Sequence, residues 1–151
     1  MTNKKEQKDL VGNRKAAHDY FLLDTYEAGI ALLGSEVKSL RAGRGNLKEA
    51  HVQIDSRGAW LHGCHIATYE MANRNNHEPT RARQLLLHQT ELRKLSRAVK
   101  QQGMTIVPVR IYIKGSHIKV EISTAKGKKL HDKRHTLKEK QIKRETDRHN
   151  R

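Results

Sequence analysis

The stretch that most constrains the fold is residues 104–134, which contain two runs of alternating apolar side chains. The apolar positions recur at every second residue on either side of the turn-forming sequence Lys114-Gly115-Ser116, at Val107, Val109, Ile111, Ile113, Ile118, Val120 and Ile122. Period two is the signature of strands with one buried face, so the stretch predicts a β-hairpin. Basic residues follow its second strand directly, so a cationic segment leaves the core at this point.

The charge of the chain points to a phosphate-rich partner. Lys and Arg number 31 against 16 Asp and Glu, which gives a formal net charge of +15. Basicity alone does not choose among RNA, DNA and membranes. No apolar run approaches the roughly 20 residues of a membrane span, and the first residues lack the apolar core of a signal peptide. We therefore expect a cytoplasmic protein with no membrane partner, and the single Cys64 permits no internal disulfide.

The length of 151 residues predicts one domain with tails. Residues 1–15 carry little apolar content and are predicted to be a disordered arm, and residues 16–126 to be the folded domain. Residues 127–151 form a basic tail. From Lys126 to Arg151 there are 11 Lys and Arg and 4 Asp and Glu, a charge of +7. We expect this tail to be disordered when free and helical when docked, because isolated short helices are marginal in water.

The remaining elements follow from periodicity and capping residues. Residues 18–33 predict two strands that meet near Asp24-Thr25, with Glu27 on the face opposite Ala28 and Ile30. Ser35 is a suitable N-cap for a short helix that Gly43 ends, and a second helix is predicted from about residue 88 to 102, where Gly103 ends it. Residues 70–84 predict a polar loop.

Six strands and two helices, mostly antiparallel, favour a small six-stranded antiparallel β-barrel of the all-β or α+β class. Pro108 lies inside the first strand of the hairpin, which predicts an edge position or a bulge. Phe21 and Trp60 are predicted to pack in the core, so an aromatic platform for stacking bases is the minority interpretation.

The sequence does not favour a catalytic or metal-binding motif. Gly127-Lys128-Lys129 lacks the upstream glycine and the following Ser or Thr of a P-loop. His62, Cys64 and His65 suggest zinc, but on a strand His65 points opposite to the other two residues. Carboxylates are few and mostly adjacent to bases, so a paired acid and base site is not indicated. Binding of structured RNA, with no cofactor and no catalysis, fits the sequence best.

Several motifs in order along residues 13–134 resemble those of one bacterial family. They include Asn13-Arg14-Lys15, His18-Asp19-Tyr20, Tyr26-Glu27-Ala28-Gly29-Ile30, Gly34-Ser35-Glu36-Val37-Lys38-Ser39-Leu40-Arg41-Ala42-Gly43, Pro79-Thr80-Arg81, Leu85-Leu86-Leu87, Lys119-Val120, Lys126-Gly127-Lys128-Lys129 and His131-Asp132-Lys133-Arg134. On these residues the chain resembles the SsrA-binding proteins, or small protein B, partners of transfer-messenger RNA in trans-translation. The resemblance implies an OB-type barrel with flanking helices.

The resemblance also implies a function. Members of the family bind the tRNA-like domain of transfer-messenger RNA and deliver it to stalled ribosomes. Their C-terminal tail then occupies the vacant mRNA path in the decoding region of the small subunit, so that the nascent chain is tagged for proteolysis. By this resemblance the chain is an adaptor without catalytic activity, and we expect a monomer.

Carried over by position, the resemblance implies an RNA-contacting set of Glu27, Leu86, His88, Lys119, Lys126, Lys128 and Lys129. Lys38 and Arg41, on the rim of the predicted short helix, join this set. Asp132, Lys133 and Arg134 would contact the ribosome. His88 departs from the asparagine of the family pattern, and imidazole still donates to phosphate or ribose.

Each of these residues also has a structural alternative. Glu27 can be a solvated strand carboxylate, and Leu86 can be a core residue. The lysines at 126, 128 and 129 can be a solvated charge run. Asp132 can be a helix cap. The alternative function is a general structured-RNA-binding or ribosomal protein with a basic extension. An RNA-processing enzyme would require a nucleophile or metal site that the sequence does not offer.

Overall fold

In the computed structural model, residues 7–128 are described, with only the backbone described at residues 73–75. Among the predicted contact residues, the RNA-contacting Lys129 and the ribosome-contacting Asp132, Lys133 and Arg134 lie outside the described residues. No helix within 7–128 is long and apolar enough to cross a bilayer.

The described chain is mostly β-structure with a few helices. The strands are β1 (Gln7–Gly12), β2 (Tyr20–Ile30), β3 (Gly45–Asn46), β4 (His51–Asp55), β5 (Gly58–His62), β6 (His65–Ile66), β7 (Arg83–Leu86), β8 (Thr105–Lys114) and β9 (His117–Gly127). The helices are α1 (Arg14–Asp19), α2 (Gly34–Arg41) and α3 (Gln89–Gln102), with a 3-10 helix at Glu70–Asn75.

Six strands form a closed circuit of antiparallel pairs. The order is β8, β4, β5, β7, β2 and β9, and β9 pairs again with β8. Strand β1 adds to the free side of β8, and β3 pairs with β6 in a separate two-stranded sheet. The inward residues, among them Ala28, Leu61, Ile111 and Val120, are fully buried in one hydrophobic core.

The predicted hairpin is confirmed as β8 and β9. Lys114 pairs with His117 across a two-residue turn in which Gly115 has φ +63°, a conformation that favours glycine. The register shifts between Pro108 and Arg110, which confirms the bulge predicted from Pro108. The Pro108 carbonyl at this bulge accepts a 2.7 Å hydrogen bond from the Asn13 side chain.

The predicted disorder of residues 1–15 is wrong for residues 7–15. Strand β1 has one buried side chain, Val11, yet its backbone pairs with β8 and so gains the order that its composition did not predict. The two strands predicted to meet near Asp24-Thr25 are one strand, β2, whose register is irregular between Leu22 and Thr25.

The polar segment predicted as a loop at 70–84 begins with the 3-10 helix and ends in β7. The predicted N-cap of α2 is also wrong. The Glu36 carboxylate accepts the backbone N–H of Leu33 at 2.8 Å, and Ser35 lies inside the helix. Gly43 at φ +74° and Gly103 at φ +63° end α2 and α3 as predicted.

Candidate nucleic-acid interface

The outward residues of β7, β2, β9 and β8 form two rows at matching register. The first row crosses the four strands through the paired residues Leu86, Gly29, Lys119 and Tyr112. The second row crosses β2, β9 and β8 through the paired residues Glu27, Glu121 and Arg110. Since neighbouring strands lie about 4.8 Å apart, the register brings Glu27, Lys119 and Leu86 onto one small surface. We call this surface the Glu27 face.

Glu27 points outward as predicted but is not simply solvated. Its carboxylate accepts a hydrogen bond from the Tyr112 phenol, and Lys114 Nζ lies 3.2 Å from Glu27 Oε2. The Tyr112 hydrogen bond, with Lys114 and Lys119 nearby, lowers the pKa of Glu27. Burial and the Glu27 carboxylate raise the pKa of Tyr112, so the phenol keeps its proton and donates it.

Arg110 extends this cluster to β1. Its guanidinium lies 4.1 Å from the centre of the Tyr112 ring, pairs with Asp9 and lies 3.3 Å from Glu121. Sequence reasoning did not identify Arg110, Tyr112 or Lys114 as site residues. The signal was present, because they alternate with the inward Ile111 and Ile113 of the hairpin.

Leu86 is an exposed apolar residue, so its interpretation as a core side chain is wrong. Its side chain is 56% exposed and packs over Gly29, where an added Cβ would lie 3.2 Å from Leu86 Cβ. An outward leucine beside a lysine and a carboxylate offers both apolar and charged contacts to a partner.

His88 follows β7 at the start of α3. It is exposed, and its backbone N–H donates to Glu91 Oε1 at 3.1 Å. His88 is the N-cap residue of α3 and Glu91 is the N3 residue of the same capping box.

Lys126 lies at the far end of β9, and Lys128 directly follows the strand. Lys126 is exposed and is the strand partner of Phe21, and Lys128 Nζ lies 5.2 Å from the centre of the Phe21 ring. Phe21 is 45% exposed and Trp60 is only half-buried, so the prediction that both pack in the core is wrong. Tyr20 and Leu22 pack instead against the small cluster of Ala16, Val107 and Ala125, which is separate from the main core, so Phe21 lies on the opposite face of β2.

Lys38 and Arg41 belong to a different part of the surface. Both are exposed on α2, which packs against β1 and β6, and Lys38 Nζ lies 5.4 Å from the Tyr69 ring centre. Neither has a described contact with the Glu27 face.

Below α2 lies a buried ionic cluster that sequence reasoning missed. Glu36 and Arg83 are fully buried, and the Glu36 carboxylate accepts hydrogen bonds from both Arg81 and Arg83. Burial alone would raise the pKa of Glu36, but the Arg81, Leu33 and Arg83 donors outweigh it and hold that pKa low. Arg81 and Arg83 lie 45 and 47 residues after Glu36 in the sequence, so no local pattern could have revealed these ion pairs.

Cys64, one of the three candidate zinc ligands in the sequence, is a core residue. It is fully buried, its carbonyl accepts a 2.7 Å hydrogen bond from Arg83, and burial raises the pKa of its thiol to about 11. The two neighbouring histidines do not join it: His65 is exposed, and the His62 ring stacks on His51 with centroids 5.6 Å apart.

A circuit of antiparallel strands whose outer surface carries lysines in a strongly basic chain is typical of nucleic-acid-binding proteins. The family model described as “SmpB protein” matches residues 10–151. The chain belongs to the SmpB protein family.

Curated relatives agree with this assignment. The chain is 54% identical over 138 residues to proteins named “SsrA-binding protein” from Bacillus cereus (strain AH820) and Bacillus anthracis, covering 91% of this chain and 89% of each relative. A chain of the solved structure described as “tmRNA-SmpB: a journey to the center of the bacterial ribosome” is 46% identical, with a TM-score of 0.67, covering 80% of this chain and 86% of that chain.

Proposed function

We propose that this protein is the RNA-binding adaptor of trans-translation. It binds the tRNA-like domain of transfer-messenger RNA and delivers it to stalled ribosomes, so that the nascent chain is tagged for proteolysis. The observation that carries this proposal is membership of the SmpB family over nearly the whole chain, with relatives named as SsrA-binding proteins. The partners act in the cytoplasm, so the protein acts there, as a monomer with no cofactor and no catalytic step.

The Glu27 face and the three lysines at and just beyond the end of β9 are the proposed RNA-binding surface. Glu27, Lys119, Leu86 and His88 contact the tRNA-like domain, and Lys126, Lys128 and Lys129 contact its phosphates. Three features support this assignment: the ionised Glu27 carboxylate, the exposed Leu86 and the exposed position of His88. Lys38 and Arg41 provide a separate cationic contact on α2.

We further propose that the closed strand circuit is an OB-type barrel spanning the RNA-binding domain to residue 126. Residues 127–151 then form the tail that becomes helical in the vacant mRNA path, where Asp132, Lys133 and Arg134 contact the ribosome. The charge of +7 carried from Lys126 to the C-terminus supports docking against ribosomal RNA.

Competition binding at physiological salt tests the proposal against general structured-RNA binding. Transfer-messenger RNA competes with an unrelated structured RNA of equal length, at fixed salt because phosphate-driven affinity changes steeply with ionic strength. We expect a preference of about tenfold, roughly 1.4 kcal/mol. Equal affinity for the two RNAs would favour a general RNA-binding protein.

A pair of variants tests the surface itself. Lys119→Gln removes a cation of the Glu27 face, and we expect about tenfold weaker binding of transfer-messenger RNA. Lys94→Gln removes an exposed cation on α3 and should change the affinity less than about twofold. Equal losses in the two variants would contradict the assignment.

A further inference from the structure

The single phenylalanine of the chain lies on the surface beside two lysines. Phe21 and Leu23 lie on the face of β2 opposite Tyr20 and Leu22 and are 45% and 50% exposed, whereas Tyr20 and Leu22 pack against the small buried cluster of Ala16, Val107 and Ala125. Burying an aromatic ring is among the larger apolar gains available to a folding chain, so leaving this one exposed needs another explanation.

The backbone and side chain of Lys128 are both fixed next to this ring. Its N–H donates to the carbonyl of Asp19 at 2.9 Å, its Nζ donates to the carbonyl of Ala17 at 3.1 Å, and the same Nζ lies 5.2 Å from the Phe21 ring centre. An ammonium group has three N–H donors, so others remain for a ligand. Lys126, the strand partner of Phe21, is exposed and adds a second cation.

An exposed aromatic ring between two cations matches the chemistry of one unpaired nucleotide. Bases stack on aromatic faces whatever their sequence, and ammonium groups bind the attached phosphate. RNA recognition often uses bases released from pairing and stacked on an aromatic side chain. A protein partner would fit less well, since the flanking charges favour a polyanion.

We propose that Phe21, Lys126 and Lys128 form a subsite for an unpaired nucleotide of the bound RNA, with the base stacked on Phe21 and its phosphate between the two lysines. The proposal rests on the proposed RNA-binding function. It adds a stacking contact that the lysines alone do not provide. It also explains why the chain keeps an aromatic residue outward at this position.

Affinity measurements with matched variants test the stacking contact. Phe21→Leu keeps an apolar side chain and removes the ring, so affinity for transfer-messenger RNA should fall by about tenfold, whereas Phe21→Tyr should stay within about twofold of the unmodified protein. Leu23→Ala, at the other outward apolar position of the strand, is the control and should change little. Thermal melting of each variant verifies that the fold is retained.

The same variants separate this proposal from the proposed function. An unrelated structured RNA with unpaired loops is measured in parallel. If Phe21→Leu weakens binding of both RNAs and the unmodified protein shows no preference between them, the subsite stands and the adaptor function fails. If Phe21→Leu binds both RNAs like the unmodified protein, the subsite is wrong whatever the preference.

Fluorescence gives a direct readout of stacking. A tryptophan at this position, Phe21→Trp, should be quenched when RNA is added, beyond any change at Trp60 measured in the unmodified protein. No added quenching overturns the proposal. If residues beyond 128 cover the ring instead, the new tryptophan would be shielded before RNA is added and its emission would not respond to RNA, which also overturns it.

Discussion

At the scale of single residues, Glu27 is both a proposed RNA contact and a hydrogen-bond acceptor within the fold, and a single substitution would remove both. Its carboxylate faces outward, and it is also the acceptor of the Tyr112 phenol. Tyr112 is only 2% exposed. A buried hydroxyl left without an acceptor costs about 1–3 kcal/mol, so removal of Glu27 affects the fold as well as any RNA contact.

A double variant separates the two roles. Glu27→Ala should lower the free energy of unfolding by about 1 kcal/mol and weaken transfer-messenger RNA binding. Adding Tyr112→Phe removes the unpaired hydroxyl, so stability should return while binding should not. Urea denaturation and competition binding measure the two effects. Recovery of binding in the double variant would mean that Glu27 has only a structural role.

Glu36 gives the chain a specific acid sensitivity. Its carboxylate is held ionised by two arginines and a backbone N–H, so its folded-state pKa lies below the ordinary value of about 4.3. Between the two pKa values the unfolded chain binds more protons. Stability from Glu36 is therefore present above the unfolded pKa and falls as pH drops through the folded pKa.

We expect Glu36→Gln to remove this part of the pH dependence. The variant is less stable at pH 7, because the fully buried Arg83 loses its charged partner, at a cost of about 3–5 kcal/mol. Its stability should then fall less steeply than that of the unmodified protein below about pH 4. Denaturation across pH measures this, and Glu49→Gln, at an exposed carboxylate paired with Lys15, is the control. Parallel pH curves for Glu36→Gln and the unmodified protein would contradict the prediction.

At the scale of elements, the polar segment between β6 and β7 is held by specific hydrogen bonds. His77 Nε2 lies 2.8 Å from the Ile66 carbonyl oxygen, so Nε2 carries the proton, and Nδ1 accepts from Ser35 Oγ at 2.8 Å. Asn76 bonds both backbone groups of Tyr69. The segment is thereby tied to α2 and to the end of β6.

Removal of His77 should loosen this segment specifically. His77→Ala leaves the Ser35 hydroxyl and the Ile66 carbonyl without their partner, which should cost about 1–3 kcal/mol. Hydrogen exchange of the amides between residues 66 and 83 should accelerate while β8 and β9 stay protected. His65→Ala removes an exposed histidine of β6 and should leave exchange unchanged. Uniform acceleration across all strands would show a global effect instead.

The elements that the sequence predicted well are those with a strong local pattern. Strict alternation defined the β8–β9 hairpin, Pro108 predicted its bulge, and Gly43 and Gly103 marked the ends of two helices. For the same reason the outward direction of Glu27 could be read from its apolar neighbours Ala28 and Ile30.

The errors have a common physical cause, which is that burial depends on distant partners. Tyr20, Phe21, Leu22 and Leu23 are all apolar, so alternation alone could not decide which pair faces inward. Strand β1 owes its order to backbone pairing with a strand about a hundred residues later. The Tyr112 to Glu27 hydrogen bond spans 85 residues, and no local spacing encodes it.

At the scale of the whole molecule, the charge is divided between the folded body and the C-terminal end. Of the net +15, the residues from Lys126 onward carry +7, which leaves +8 on the rest of the chain. Residues 131–151 contain 8 Lys and Arg and 4 Asp and Glu, a net +4, so their removal leaves +11. Every proposed contact to the tRNA-like domain, including Lys126, Lys128 and Lys129, stays in the shortened chain.

Deletion of residues 131–151 should therefore separate RNA capture from ribosome rescue. Affinity for transfer-messenger RNA should stay within about threefold of that of the full chain, because all of the proposed phosphate contacts remain in the shortened chain. Tagging of nascent chains in a reconstituted translation reaction should be abolished, since no segment would occupy the vacant mRNA path. A chain with residues 131–151 scrambled keeps the same +4, so failure of that chain to support tagging assigns the effect to sequence rather than to charge. A large loss of affinity in the deletion variant would contradict this division of labour, because it would mean that the tail itself holds the RNA.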